Sequence, residues 1–420
     1  MTTGPSLRVL LHSAAELLEL IQGSTRPADR EMDLYFRSHG QLGRQDRGAV
    51  ADAVYGCLRH LRSLEFKAGS AEPRPLVAAW LLTLGGVSAR RLEQEAGYGR
   101  APTIAAHIHA SRLEEAPLAV RLDVPDWFVE CAPEPERLST LATALAHPAP
   151  LDLRVNTLRG DREEAAARLA AEGFPAALTP YAPSGLRRTT HSPIFRTKTF
   201  QDGWVEVQDE GSQIVSLVVE PRRHECVVDF CAGAGGKTLH LGALMNNSGM
   251  LYAFDTAAFR LDRARERARR AGLSNLRQQV LTSERDIRLQ RLEGKADRVL
   301  VDAPCSGSGT WRRNPDMKWR MDLAAVQRLA QDQQQILAAA ARLVKTGGRL
   351  VYATCSLLAE ENEHIIGNFL AEHGEFSVES VCGILGRRSV VIETTDSFLR
   401  LRPDIHGTDG FFVAALTRNT

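Results

Sequence analysis

Two cysteines, each in its own short motif, carry the chemistry that this sequence can do. Cys305 lies in Val301-Asp302-Ala303-Pro304-Cys305-Ser306, directly after the apolar run Val299-Leu300-Val301. Cys355 lies in Tyr352-Ala353-Thr354-Cys355-Ser356, directly after Leu350-Val351. Each thiol therefore stands just past the C-terminal end of an expected strand, where open α/β sheets bind ligands. The small turn-forming neighbours Pro304, Ser306, Thr354 and Ser356 expose both sulfurs to a pocket, where dipoles and cations favour a thiolate. Cys57, Cys131, Cys226 and Cys382 lack such neighbours and are expected to be small core residues.

A third motif, Asp229-Phe230-Cys231-Ala232-Gly233-Ala234-Gly235-Gly236-Lys237-Thr238, follows the strand-like Cys226-Val227-Val228. Gly233, Gly235 and Gly236 let backbone approach a ligand closely, and a helix N-terminus after them offers free N–H groups. Asp255 ends the next expected strand, where an acid can accept hydrogen bonds from ribose hydroxyls. The pair implies a nucleoside-containing cofactor. The spacing fits neither G-x-G-x-x-G nor a phosphate-cradling P-loop. Between Gly309 and Arg320, tryptophans alternate with cations, so Trp311, Arg312, Arg313, Lys318 and Trp319 are expected to stack on bases and grip phosphates. The arginine-rich stretch from Arg260 to Arg270 reads first as a solvated helix face. His224, His240 and His364 stand singly, so no metal site is expected.

Strand–helix alternation must position these motifs. Strands are expected at 227–229, 250–254, 298–301 and 349–352. Helices are expected from Lys237, over 260–271 and over 322–344. The alternation predicts a parallel, doubly wound sheet. Ahead of it, Leu151 to Thr157 and Trp204 to Gln208 alternate like strands, around an alanine-rich helix at 163–172, as a small α+β unit would. The first third is helical: Leu7, Leu10, Leu11, Ala14, Leu17, Leu18 and Ile21 recur at helical spacing, and Asp46 is a candidate cap. Three domains are expected: 1–132 all-α, 133–215 small α+β, and 216–420 a Rossmann-like sheet.

Composition narrows the class without deciding it. The 420 residues carry a net charge of +1, so a basic footprint for nucleic acid must be local. Seven cysteines with no C-x-x-C pair argue for reduced thiols in a cytoplasm rather than a disulfide framework. No apolar run reaches the roughly 20 residues of a membrane span. A monomer without membrane attachment is expected.

Taken together, the motifs resemble the S-adenosylmethionine-dependent RNA cytosine-5 methyltransferases of the Sun/Fmu family. The resemblance covers most of the chain. It rests on Leu153 to Leu158, Gln208 to Gln213, Cys231 to Lys237, Asp302 to Ser306, Arg312 to Trp319, Ala353 to Ser356 and Asp409 to Ala414. Leu42 to Arg47 is similar to the NusB-like domain of the bacterial ribosomal RNA members. The resemblance implies that Cys355 adds covalently to C6 of cytosine, that Asp302 binds the base edge and that Cys305 assists release. It also implies S-adenosylmethionine held by Cys231, Ala232, Gly233, Ala234, Gly235, Gly236, Lys237, Asp255 and Asp302, with ribosomal RNA as partner. Two departures stand out. Gly233-Ala234-Gly235-Gly236 replaces the usual Ala-Pro-Gly-Gly, and Gln279 to Glu284 lacks the Asp that contacts the adenine region, leaving Thr282 or Ser283 in its place. An alternative is an RNA-binding ribosome-assembly factor with weak or lost turnover.

Overall fold

In the computed structural model, residues 6–132, 135–188, 193–394 and 396–419 are described. The chain divides into two compact units, Met1–Pro148 with Thr310–Asp322, and Ala149–Gly309 with Leu323–Thr420. Among the described residues no helix is long and apolar enough to cross a membrane.

The first unit is helical. The helix Leu7–Gly23 presents Leu10, Leu11, Ala14, Leu17, Leu18 and Ile21 to a core shared with Arg44–Arg59 and Pro73–Thr83. A continuous stripe at i, i+3, i+4 and i+7 leaves such a helix no other way to hide its apolar face. Asp46 sits in the first turn rather than at the cap, and its carboxylate accepts from Gly43 N at 2.9 Å. The segment 310–322 completes this unit instead of standing out as a loop.

The second unit holds two sheets. The smaller is antiparallel in the order β2-β3-β1-β4, from β1 (Leu151–Val155), β2 (Ala177–Leu178), β3 (Gly185–Arg188) and β4 (Val205–Val207). The helix Arg162–Ala171, capped by Asp161, buries Ala165 and Leu169 against Leu153, Leu186 and Val205.

The larger sheet comprises β5 (Cys226–Asp229), β6 (Met250–Asp255), β7 (Leu276–Val280), β8 (Ala296–Asp302), β9 (Val344–Thr354), β10 (Phe376–Glu379), β11 (Leu399–Leu401) and β12 (Phe411–Arg418). Its order is β10-β12-β9-β8-β5-β6-β7, with β11 pairing β12. From β5 the chain runs outward through β6 and β7, then crosses back to β8 on the other side. The switch point therefore falls between β5 and β8, and a ligand crevice belongs at their carboxyl ends. Val299, Leu300 and Val301 are all buried, as a central parallel strand covered on both faces requires. The expectation of a wholly parallel sheet needs one correction. β12 runs antiparallel between β9 and β10, so the sheet is mixed. Its run Phe411 to Leu416 is buried throughout, so no alternation marked it as a strand.

Candidate functional site

The three motifs converge at the carboxyl end of the larger sheet. A cavity of about 460 Å3 opens there, lined among others by Phe230, Cys231, Ala232, Gly233, Ala234, Gly236, Lys237, Asp255 and Asp302. Gly235 is absent from the lining but shapes it. Its φ of +82° is a left-handed turn, and a Cβ there would meet Ala264 Cβ at 2.8 Å. Two arginines brace the turn from behind: Arg154 Nη1 donates to Gly236 O at 2.7 Å and Arg267 Nη1 to Ala234 O at 2.6 Å. Arg154 is fully buried, and burial draws its pKa down to about 9. The softer Gly-Ala-Gly-Gly turn is thus held by side chains from β1 and from the helix Ala258–Ala271.

Asp255, Glu284 and Asp302 line the cavity together with Lys237, Arg260 and Arg267, and Asp229 lies buried close to them. Asp255 accepts from Gly233 N at 2.9 Å and from Ala257 N at 2.7 Å, tying the glycine turn to the end of β6. Asp229 accepts from Thr238 Oγ1 at 2.6 Å, and its other oxygen has no hydrogen-bond partner among the described residues. Burial, reinforced by the charges of Asp302 and Asp255, lifts its pKa to about 7. Lys237 Nζ pairs with Asp302 at 2.7 Å. Burial opposes that ammonium, yet Asp302 and nearby Cys355 outweigh it and raise its pKa. The carboxylates of Asp255 and Asp302 offer acceptors to hydroxyl and ammonium groups of a ligand, and the N–H-bearing turn suits a carboxylate or ribose. A sulfonium nucleoside carrying an amino acid offers all of these groups.

Beyond the cavity the two thiols meet. β8 and β9 are parallel neighbours with Asp302 opposite Ala353, so the residues just past each end come side by side. Cys305 Sγ and Cys355 Sγ lie 3.4 Å apart. The hydrogen bond to Cys355, then burial, then the charges of Cys355 and Glu361 hold the Cys305 proton well above the usual thiol range. Gly309 N donates to Cys355 O at 2.9 Å, and Gly410 N donates to Gly309 O at 2.8 Å. A Cβ on Gly309 would meet Gly410 O at 2.4 Å, so backbone alone fits behind the Cys355 turn.

Three findings lie outside the sequence reading. Glu361, fully buried, accepts hydrogen bonds from the loops of both cysteines. At the loop after β7, Thr282 N and Oγ1 both donate to Asp286 Oδ2, at 2.9 and 3.0 Å. Thr282 is therefore engaged, and Ser283 and Glu284 line the cavity instead. The third finding is a correction. Trp311 is fully buried, with ring centroids 4.6 Å from Phe128 and 6.3 Å from Trp127. Lys318 donates to Arg59 O and Asp123 O, each at 2.9 Å, and half-buried Trp319 donates to Leu58 O at 2.7 Å. Arg312 is buried too. Trp311, Arg312 and Lys318 are thus buried within the helical unit, whereas Trp319 keeps partial exposure. Arg313 keeps partial exposure.

A Rossmann-like sheet with a cofactor cavity at its switch point and thiols beside it defines a group-transfer enzyme on a nucleoside cofactor. The profile of the 16S rRNA methyltransferase RsmB/F family matches residues 216–417, and that of the RsmF/B-like ferredoxin-like domain matches 124–194. A probable ribosomal RNA small subunit methyltransferase B of Synechocystis is 35% identical, over 73% of this chain and 69% of that protein. The probable ribosomal RNA small subunit methyltransferase B of Bacillus subtilis is 30% identical, over 90% and 92%. The crystal structure of PH0851 superposes with a TM-score of 0.79 at 26% identity, covering 99% of both chains. The chain belongs to the RsmB/F family of 16S rRNA methyltransferases. Its cofactor is S-adenosylmethionine, whose ribose, ammonium and carboxylate groups fit the acids Asp255 and Asp302 and the glycine turn of the cavity.

Proposed function

We propose that this protein transfers a methyl group from S-adenosylmethionine to C5 of a cytosine in ribosomal RNA, through a covalent Cys355–C6 adduct. The observation that carries the reading is the thiol pair, 3.4 Å apart, beside the Lys237–Asp302 pair at the rim of the cavity. C5 of cytosine is a weak nucleophile. Addition of the Cys355 thiolate to C6 forms a sulfur–carbon bond and shifts the ring electrons toward C5. Asp302, held by Lys237, accepts from the amino edge of the base, and the ammonium faces the charge that builds on the ring. The cofactor, held by the Cys231–Lys237 turn and Asp255, supplies an electrophilic methyl carbon on a sulfonium; C5 bonds to that carbon through the displaced ring electrons, and the sulfur leaves as a neutral thioether with the electrons of the broken bond. A base then takes the C5 proton, that electron pair restores the C5–C6 double bond, and Cys355 leaves as thiolate. Cys305 assists this release. The cytosine must be turned out of its stack to reach the pocket.

Bisulfite sequencing of total RNA from cells with and without the gene tests the reaction. Loss of one methylated cytosine from small-subunit ribosomal RNA is the expected result. No change in any abundant RNA would contradict it and favour an assembly role.

A further inference from the structure

Glu361 has no part in the steps above, yet it is built into both thiol loops. It ends the turn Ala359–Glu361 and is fully buried. Its Oε1 accepts from Ser306 N at 2.8 Å and from Gln333 Nε2 at 3.0 Å. Its Oε2 accepts from Ser306 Oγ at 2.5 Å and also from Ser356 Oγ. Ser306 follows Cys305 and Ser356 follows Cys355, so one carboxylate joins the two loops one residue beyond each sulfur. The joint is reinforced on every side. Gln333 Nε2 also reaches Pro304 O at 2.8 Å, Tyr352 OH donates to Glu361 O at 2.7 Å, and Ser308 Oγ receives Leu357 N at 2.8 Å.

A buried carboxylate is not a stabilising choice in itself, because well-packed apolar side chains of similar volume often do as well or better. It is tolerated here because four donors surround it. Those donors come from β8's loop, β9's loop and the helix Leu323–Ala341, the parts whose relative position fixes the sulfur–sulfur distance.

We propose that Glu361 is a positioning residue, tying the Cys305 loop to the Cys355 loop and so setting the approach of the two sulfurs that release of the methylated base needs. The inference rests on the two-thiol reading of the function. Loosening the joint leaves cofactor binding intact, because Glu361 does not line the cofactor cavity. It slows the step that needs both thiols, and a displacement near 1 Å costs about a hundredfold in rate.

The test uses the full chain, S-adenosylmethionine and transcribed 16S ribosomal RNA, with turnover and covalent adduct measured side by side. In Glu361→Gln the amide nitrogen can only donate, so the bonds from Ser306 Oγ and Ser356 Oγ must reverse and the joint loses its charge-assisted leg. The expected result is a kcat lower by about a hundredfold, the KM for the cofactor unchanged, and adduct accumulating as it does in Cys305→Ala. An unchanged kcat, or a fall in kcat without added adduct, overturns the proposal. Should Glu361→Gln fail to fold, the Ser306→Ala, Ser356→Ala double variant carries the same test with the same two outcomes. Wild-type turnover that survives Cys355→Ala would instead defeat the two-thiol reading itself, and the proposal with it.

Discussion

Two segments of this chain are dense in residues that do chemistry elsewhere, and their fates are opposite. The strand ends at Asp255 and Asp302 turn their carboxylates toward a cavity, and the loops that follow β8 and β9 bring Cys305 and Cys355 together. The segment 310–322, richer in cations and tryptophans, turns Trp311 and Lys318 inward, where the Trp311 ring packs against Phe128 and the Lys318 ammonium donates to backbone carbonyls of the helical unit. Position decides between them. A residue past the end of a parallel strand at a switch point has open space in front of it by construction. A residue in a long connection has no such guarantee, and an amphipathic tryptophan or lysine can satisfy its polar tip on buried carbonyls.

This contrast predicts a double dissociation between activity and stability. The largest effect is that of Cys355→Ala, which should remove methylation entirely while leaving the melting temperature and cofactor affinity unchanged. Calorimetry beside a methyl-incorporation assay checks both halves, and a large fall in melting temperature would break the contrast. Asp255→Ala comes next. Losing a charged acceptor at the glycine turn should weaken S-adenosylmethionine binding by roughly 10–100-fold, from about 1.5–3 kcal/mol per such bond. Isothermal titration reads this directly.

On the other side, Trp311→Ala should leave cofactor affinity at the wild-type value. It should destabilise the fold by about 3–5 kcal/mol, the usual cost of emptying a buried tryptophan site. Denaturant titration measures it, and a weakened cofactor affinity with unchanged stability would reverse our assignment of this segment. The smallest effect concerns pH. Burial draws Lys318 down to about 8, whereas a lysine in the unfolded chain titrates near about 10.4. Between these values the unfolded state holds the extra proton, so this residue makes stability rise with pH over that window. Lys318→Met should lack that rise, and equal slopes in the two proteins would show that the ammonium is not desolvated.

Much of the fold could be read from the chain because its signals are local. The apolar runs ending in Asp229, Asp302 and Thr354 and the glycine turn between Ala232 and Lys237 each specify a strand end without reference to distant residues. What could not be read depends on partners remote in sequence. Glu361 stands in Glu360-Glu361-Asn362-Glu363, a charged stretch that by composition belongs on a solvated surface. Only the pairing of β8 with β9 brings Ser306 and Ser356 around it. A usable hint was its place five residues after Ser356, on the segment that must leave the sheet beneath the thiol loop. Arg154 in β1 reads as an outward polar residue of an alternating strand. It is buried because the glycine turn supplies Gly236 O as its acceptor. Lys318 and Trp319 could not be placed without knowing that Leu58, Arg59 and Asp123 offer carbonyls to them.

The central claim is that Cys355 bonds to the base and that Cys305 is needed to let it go. Incubating Cys305→Ala with 16S ribosomal RNA and S-adenosylmethionine, then digesting and mapping the crosslinked peptide by mass spectrometry, addresses both parts at once. The expected product is a stable adduct carrying a methylated cytosine on Cys355. Clean release of methylated RNA, or an adduct on any other residue, would contradict it.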